Sequence, residues 1–220
     1  YELFYRNYTK KQWGLYPEQL DPQVTGRLPV RFDRDTRYFT DLHQGLPSEG
    51  YTRMFERMLD SRNIEVRLET EYRDVAESIR FRRRIFTGPI DEFFDFRYGR
   101  LPYRSLRFRF EILAVERFQN AGVVNYPNEQ DYTRITEFKH LYLQEHPHTA
   151  ICYEYSSADG PPYYPILTPQ NRALYDRYKA LADKLDDTYF VGRLAQYEYL
   201  NMDQVVYCGL ELFRKIQDRA

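Results

Sequence analysis

Arginines and tyrosines set beside glycine or proline breaks are the residues of this chain best equipped for chemistry. Arg27, Tyr38, Arg104, Arg134, Tyr163-Tyr164-Pro165, Arg193 and Tyr199 share that character. Arginine offers a planar, permanently charged fork that suits phosphate, and tyrosine hydroxyls add neutral donors. The chain holds 22 Tyr beside 15 Phe and one Trp. Such side chains suit stacking on a base and hydrogen bonding to sugar and phosphate. Two bland readings stand beside this one. Any single Arg reads as a surface ion pair, and a Tyr-rich composition also fits a sheet with half-exposed faces. Several arginines converging would favour a diphosphate ligand, but spacing does not fix convergence.

A second chemical candidate lies near the C-terminus. The apolar run Thr188-Tyr189-Phe190-Val191 ends at Gly192, Arg193 follows at once, and Asn201 is placed to cap a helix carrying Val205, Val206, Leu210, Phe213 and Ile216. A strand that breaks at glycine before a helix N-terminus suits an anionic or polar ligand, although most such units are only core.

Other chemistries are excluded more firmly. Cys152 and Cys208 are far apart, and His43, His140, His146 and His148 lack i, i+4 pairing, so no metal site is expected; His146-Pro147-His148 reads as a surface turn. There is no nucleophile elbow, P-loop or dinucleotide fingerprint. Lys plus Arg number 32 against 33 Asp plus Glu, a net charge of −1, which argues against a nucleic-acid partner. No run approaches the roughly 20 apolar residues of a membrane span, and no signal peptide is visible. The two cysteines read as buried free thiols in a reducing, cytoplasmic setting.

The elements that must position these residues follow from periodicity. Phe4, Tyr5, Tyr8 and Thr9 recur at helical spacing and lead to Trp13-Gly14. Residues 14–47 read as a long loop with short extended pieces. Its arginines Arg27, Arg31, Arg34 and Arg37 belong either to a solvated loop or to a mobile lid that brings charge to an anion. Tyr51, Met54, Phe55, Met58 and Leu59 predict a helix opened by Pro47-Ser48. Ile64, Val66, Leu68 and Tyr72 alternate with charged residues and predict a strand; Ile85-Phe86 predicts another, ending at Thr87-Gly88-Pro89. The alternations Leu106–Ile112, Tyr132–Phe138 and Thr149–Tyr155 predict an antiparallel sheet. Thr168 and Pro169 mark a helix start, with Leu174, Tyr175, Tyr178, Leu181 and Leu185 as its buried stripe.

Longer strings carry a resemblance. Asn7-Tyr8-Thr9-Lys10-Lys11-Gln12-Trp13-Gly14, Phe86-Thr87-Gly88-Pro89-Ile90-Asp91-Glu92-Phe93-Phe94, Tyr103-Arg104-Ser105-Leu106, Tyr132 through His140, Pro162-Tyr163-Tyr164-Pro165-Ile166 and Gly192 through Tyr199 closely resemble the UDP-galactopyranose mutases, in the family's order and from end to end of the chain. The resemblance implies interconversion of UDP-galactopyranose and UDP-galactofuranose for cell-surface glycans. It also implies reduced FAD as cofactor, with N5 attacking the anomeric carbon as UDP leaves. Position by position, Phe4, Tyr5, Tyr8, Thr9 and Trp13 match the uridine wall, and Asn125 a residue near the uracil. Arg27 matches the arginine of a mobile loop. Arg134, Tyr38, Tyr164 and Tyr199 match the cluster around the diphosphate, with Arg104 as another active-site arginine. Gly88-Pro89, Gly192-Arg193 and Met202-Asp203 match FAD contacts.

The implied fold class is α+β. An antiparallel substrate-binding sheet with helices stands beside strands and a C-terminal helix of an incomplete Rossmann-like FAD domain. The expected divisions are residues 1–45 (end of a helical substrate domain and its mobile loop), 46–90 (FAD-domain segment), 91–185 (substrate sheet) and 186–220 (FAD-domain strand and helix). The chain opens at Tyr1 rather than Met, which reads as a piece of something longer; the family's N-terminal portion with the glycine-rich FAD turn is missing from the sequence, by deletion or otherwise, and the chain alone is expected to be inactive. A stand-alone UDP-sugar binding module is the alternative, and a homodimer is left open.

Overall fold

The computed structural model describes residues 1–26, 32–37 and 39–218. In chain order, a π-helical turn at Glu2–Arg6 runs into α1 (Asn7–Trp13), and a 3-10 turn at Pro17–Gln19 precedes α2 (Pro22–Thr25). Next come α3 (Gly50–Leu59), α4 (Tyr72–Val75), β1 (Arg84–Phe86), α5 (Ile90–Phe93), β2 (Tyr103–Leu113), β3 (Val123–Asn125), β4 (Arg134–Glu137) and α6 (Phe138–Tyr142). The chain closes with β5 (Thr149–Ser157), β6 (Tyr164–Pro165), α7 (Pro169–Ala182), β7 (Thr188–Phe190) and α8 (Met202–Gln217).

Two sheets result, which makes the architecture mixed α and β. Five strands in the order β3-β4-β5-β2-β6 pair antiparallel throughout, while β1 and β7 form a separate parallel pair. Strands β2, β4 and β5 form where alternation places them, although Phe108, Phe110 and Ile112 on the apolar side of β2 are exposed. Thr168 caps α7 as expected, its hydroxyl accepting from the Asn171 amide. Asn201 caps α8, its own N–H held by Gln204 Oε1 at 2.8 Å.

Three expectations need correction. The alternating run at residues 64–72 is not a strand: residues 64–68 lack regular structure and Tyr72 instead opens α4. Alternation makes a strand only when a neighbouring edge pairs with it, and none does among the described residues; Glu69, with φ +51°, also breaks the extended path. Second, α3 and α8 form where periodicity places them, yet neither buries a residue of its apolar face: Phe55, Met58, Leu210 and Phe213 are exposed. Third, the buried stripe of α7 is Tyr175, Tyr178 and Ala182, because the helix ends before Leu185, which is exposed.

The core gathers Trp13 from α1, Leu20, Val24 from α2, Ile90 from α5, Leu101, Leu167, Tyr175 and Tyr178 from α7, and Tyr197. Two fully buried tyrosines also supply its polar ties. The Tyr178 hydroxyl donates to Gly99 O (2.7 Å) and accepts from the Tyr98 amide (2.8 Å). The Tyr197 hydroxyl lies 2.6 Å from Pro102 O and 3.1 Å from Ile166 O. The Gly99 carbonyl and the Tyr98 amide, which no ladder pairs, are thereby satisfied.

Candidate functional site

Helix α1 brings the first set of residues together. Tyr5, Tyr8, Thr9, Gln12 and Trp13 recur at i, i+3, i+4, i+7 and i+8, so they share one face, and Thr9, Gln12 and Trp13 are buried. Gly14 ends the helix at φ +73°, its N–H returning to Lys10 O. The helix is fastened to the loop after β3. The Lys11 ammonium donates to Tyr126 O (2.5 Å), Gln130 O (2.6 Å) and Tyr132 O (3.3 Å), and Asn7 Nδ2 donates to Asn128 Oδ1 at 2.8 Å. Burial lowers the Lys11 pKa. Phe4 and Tyr5, one turn earlier, are 72% and 47% exposed, so they form an open edge rather than a closed wall.

The five-stranded sheet supplies the second set through its register. Asn125 pairs with Arg134, and Arg134 with Glu154. Ser156 and Leu106 pair two positions further along β5, and Arg104 pairs with Tyr164. Directly opposed residues share a face and alternate residues repeat it. Asn125, Arg134, Glu154, Ser156, Arg104 and Tyr164 therefore stand on one face, the face on which α1 lies.

Contacts across that interface are specific. Arg134 Nη2 donates to the Tyr8 hydroxyl at 2.5 Å, and its Nε lies 3.5 Å from Glu154 Oε1. Burial opposes the Arg134 charge, but the facing Tyr8 and Glu154 oxygens outweigh it and hold its pKa above the usual value. Arg104 is only 9% exposed. Its Nε donates to Gln12 O (3.0 Å) and its Nη2 to Ser156 Oγ (2.9 Å). Burial lowers its pKa. Burial also pushes the Tyr8 phenol up and the Tyr164 phenol to about 12, with Glu154 adding to the latter. Both hydroxyls stay protonated at neutral pH and remain able to donate.

Above this face three rings meet. Trp13 lies 5.8 Å from Tyr164 and 5.2 Å from Tyr199, and Tyr164 lies 5.6 Å from Tyr199, all tilted or edge-on. The Arg193 guanidinium sits 5.2 Å from the Tyr164 centroid and 5.6 Å from that of Tyr199. It is steadied by Leu200 O, 3.0 Å from Nε, and by Tyr163 O, 3.4 Å from Nη1.

The parallel pair adds a third set. Phe86 is in register with Phe190, and the Val191 amide donates to Phe86 O at 3.1 Å. Because the strands are parallel, the turns that follow them, Gly88-Pro89 and Gly192-Arg193, leave the same edge. Gly192 sits at φ +97°, and a Cβ on Gly88 would come within 2.9 Å of the Phe86 ring. Helix α8 then begins at Met202 and Asp203, both exposed, with first-turn amides that no helical carbonyl satisfies. Glycine turns at the carboxyl edge of parallel strands beside a helix N-terminus suit an anionic or planar cofactor.

The structure thus brings together Tyr8, Thr9, Trp13, Arg104, Asn125, Arg134, Tyr164, Arg193 and Tyr199, with Gly88, Pro89, Gly192, Met202 and Asp203 along the parallel edge. Arg27 and Tyr38 lie outside the described residues. Sequence reasoning missed Gln12, Glu154 and Ser156. Gln12 could have been found one turn after Tyr8, and Glu154 and Ser156 as the set that alternates with Tyr153 and Tyr155. Two surface cavities lie away from the cluster: one of about 260 Å³ beside Phe138, Lys139 and His146, another of about 780 Å³ between α3 and Val66 and Leu68. Neither holds a comparable set of phosphate donors and aromatic rings. Among the described residues no helix is long and apolar enough to cross a membrane, and no three His, Cys, Asp or Glu are grouped to hold a metal.

The model of the UDP-galactopyranose mutase family matches residues 3–199. The chain belongs to that family. It is 41% identical over 211 residues to a probable UDP-galactopyranose mutase of Klebsiella pneumoniae, covering 94% of this chain and 54% of the relative. It is 34% identical over 221 residues to the dTDP-fucopyranose mutase of Escherichia coli (96% and 59%) and 34% identical over 221 residues to the UDP-galactopyranose mutase of Mycoplasma pneumoniae (92% and 55%). The chain therefore spans little more than half the length of these curated relatives. The mutase family is one of flavoproteins that act on a UDP-sugar.

Proposed function

We propose that this chain supplies the UDP-sugar site and part of the FAD site of an enzyme interconverting UDP-galactopyranose and UDP-galactofuranose. The observation that carries the reading is the meeting of Arg104, Arg134 and Arg193 with Trp13, Tyr164 and Tyr199 on one side of one sheet, in a member of the mutase family. Phe4, Tyr5, Tyr8, Thr9, Trp13 and Asn125 hold the uridine. Arg134 and Arg104, with Tyr164 and Tyr199, hold the diphosphate and stabilise its charge as it leaves the sugar. Arg27 and Tyr38 complete that set. The turn glycines, Arg193 and the first amides of α8 fit one side of FAD. Reduced FAD, when bound, supplies the nucleophile for the anomeric carbon. Binding energy from the remote uridine orients the sugar for that step.

Residues 46–90 and 186–220 belong, on this reading, to the FAD domain, and residues 1–45 and 91–185 to the substrate side. The cytoplasm is the proposed location, and a homodimer the proposed assembly. The test is turnover by the whole protein with dithionite-reduced and with oxidised flavin. Conversion of UDP-galactofuranose only when reduced is expected; equal rates in both states contradict the mechanism. The 220-residue chain alone is expected to show no turnover and to retain no stoichiometric FAD. The E. coli relative's name raises dTDP-fucose as a second substrate, and competition between UDP and dTDP separates the two. A binding module without catalysis is disfavoured by membership in a mutase family.

A further inference from the structure

We infer that Ser156 is a positioning residue that fixes Arg104 as a diphosphate-binding fork. This rests on the UDP-sugar reading above. Arg104 is a buried cation that no carboxylate pairs with among the described residues. Its partners are neutral: Gln12 O, 3.0 Å from Nε, and Ser156 Oγ, 3.2 Å from Nε and 2.9 Å from Nη2. Ser156 closes the triangle by donating its own proton to Gln12 O at 2.5 Å. The Gln12 carbonyl belongs to the last turn of α1, where no helical N–H reaches it and where the helix end favours a cation. One hydroxyl therefore accepts from the guanidinium and satisfies the carbonyl together.

The consequence is directional. The Nε/Nη2 edge of the fork is engaged, and Nη1 is set against Gly14. A Cβ built there would lie 3.3 Å from Nη1, and the glycine's φ of +73° already disfavours any other residue. Nη1 has no acceptor among the described residues and keeps its donors for an anion. Because Gln12 precedes Trp13, the same triangle ties the arginine to the ring proposed to hold the base. Without the Ser156 hydroxyl, the fork would rotate to reach Gln12 O alone and lose its fixed presentation.

The test uses Trp13, the only tryptophan of the chain, as a fluorescent reporter titrated with UDP and with uridine. Ser156→Ala is expected to weaken UDP roughly tenfold, the scale of one hydrogen bond to a charged group, and to leave uridine unchanged. Ser156→Thr, which keeps the hydroxyl, is expected to restore most of the UDP affinity. Equal weakening of both ligands, no weakening of UDP, or a Thr variant as weak as Ala overturns the assignment. A wild-type chain with no response to UDP instead defeats the UDP-sugar reading itself, and the inference with it. Circular dichroism melts of each variant establish that the fold is retained.

Discussion

Trp13 shows how much one side chain is asked to do. It is 6% exposed, closes the core beneath α1, and presents its ring to Tyr164 and Tyr199. Replacing it acts on both roles. Trp13→Ala is expected to cost about 3–5 kcal/mol of stability as a large-to-small core change. The same variant should weaken UDP by roughly 1–3 kcal/mol, the range for a base losing its aromatic platform. Calorimetric titration at a temperature where the variant is folded separates the two effects. Unchanged UDP affinity in a folded variant would remove Trp13 from the proposed uridine wall. Arg134 and Arg104 differ in a way their sequence contexts do not reveal. The first has Glu154 beside it, and the second only neutral oxygens.

At the scale of elements, Glu137 at the end of β4 is a buried charge that ties several segments together. Its carboxylate is fully buried. It accepts from the Phe118 amide (3.0 Å), the Gln119 amide (2.9 Å) and the Thr149 hydroxyl (2.6 Å), with His140 Nε2 at 3.3 Å. It thereby pins the loop between β2 and β3 to β5. Burial pushes its pKa up, but the Thr149 hydroxyl, the two amides and His140 outweigh burial and hold it below the usual carboxylate range. A depressed carboxylate pKa contributes stability that is present above the unfolded value, about 4.3, and is lost as pH falls through the folded value. Glu137→Ala should cost about 3–5 kcal/mol, the scale for breaking a buried hydrogen-bonded charge. Its thermal midpoint should also change less than that of the parent as pH is lowered from about 6 to about 3. Parallel pH curves for the two proteins would contradict this account.

Element identity was largely legible in the sequence, because period and capping are local. Thr168-Pro169, Asn201 and Gly14 each did what their chemistry requires within a few bonds of themselves. The run from Ile64 to Tyr72 was misread for the complementary reason. Its alternation is equally local, but a strand exists only through a partner, and partners are not local. The apolar stripes of α3 and α8 carry the same lesson: a stripe marks a face to be covered without naming the cover.

At the scale of the molecule, the antiparallel sheet and the segment that follows the parallel pair meet through aromatic packing and the buried Tyr197 hydroxyl. Tyr197 comes from the segment that follows Gly192-Arg193, yet its hydroxyl bonds to Pro102 just before β2 and Ile166 just after β6. It couples the proposed cofactor edge to the proposed substrate face. Burial pushes its phenol pKa up, so the proton stays in place. Tyr197→Phe keeps the ring and removes one donor from Pro102 O and Ile166 O, which retain the Ile166 amide (3.1 Å) and Asn171 Nδ2 (2.8 Å), and should cost about 0.5–1.5 kcal/mol in chemical denaturation. No loss of stability would show that the two sheets do not depend on this tie.

The sequence by itself determined the residue types and local forms. It placed the helix that carries Tyr8, Thr9 and Trp13, the strands that carry Arg104 and Arg134, the glycine breaks, and strings long enough to resemble one family. Those features follow from backbone preference and side-chain period, which act over a few residues. Convergence belonged to the tertiary structure alone. Asn125, Arg134 and Glu154 share a row only through strand register, and Arg104 reaches Gln12 across 92 residues of chain. Register and long-range packing are set by the whole set of pairings at once, so the partners of Glu154 and Ser156, whose alternation marks only a shared face, emerged only in three dimensions.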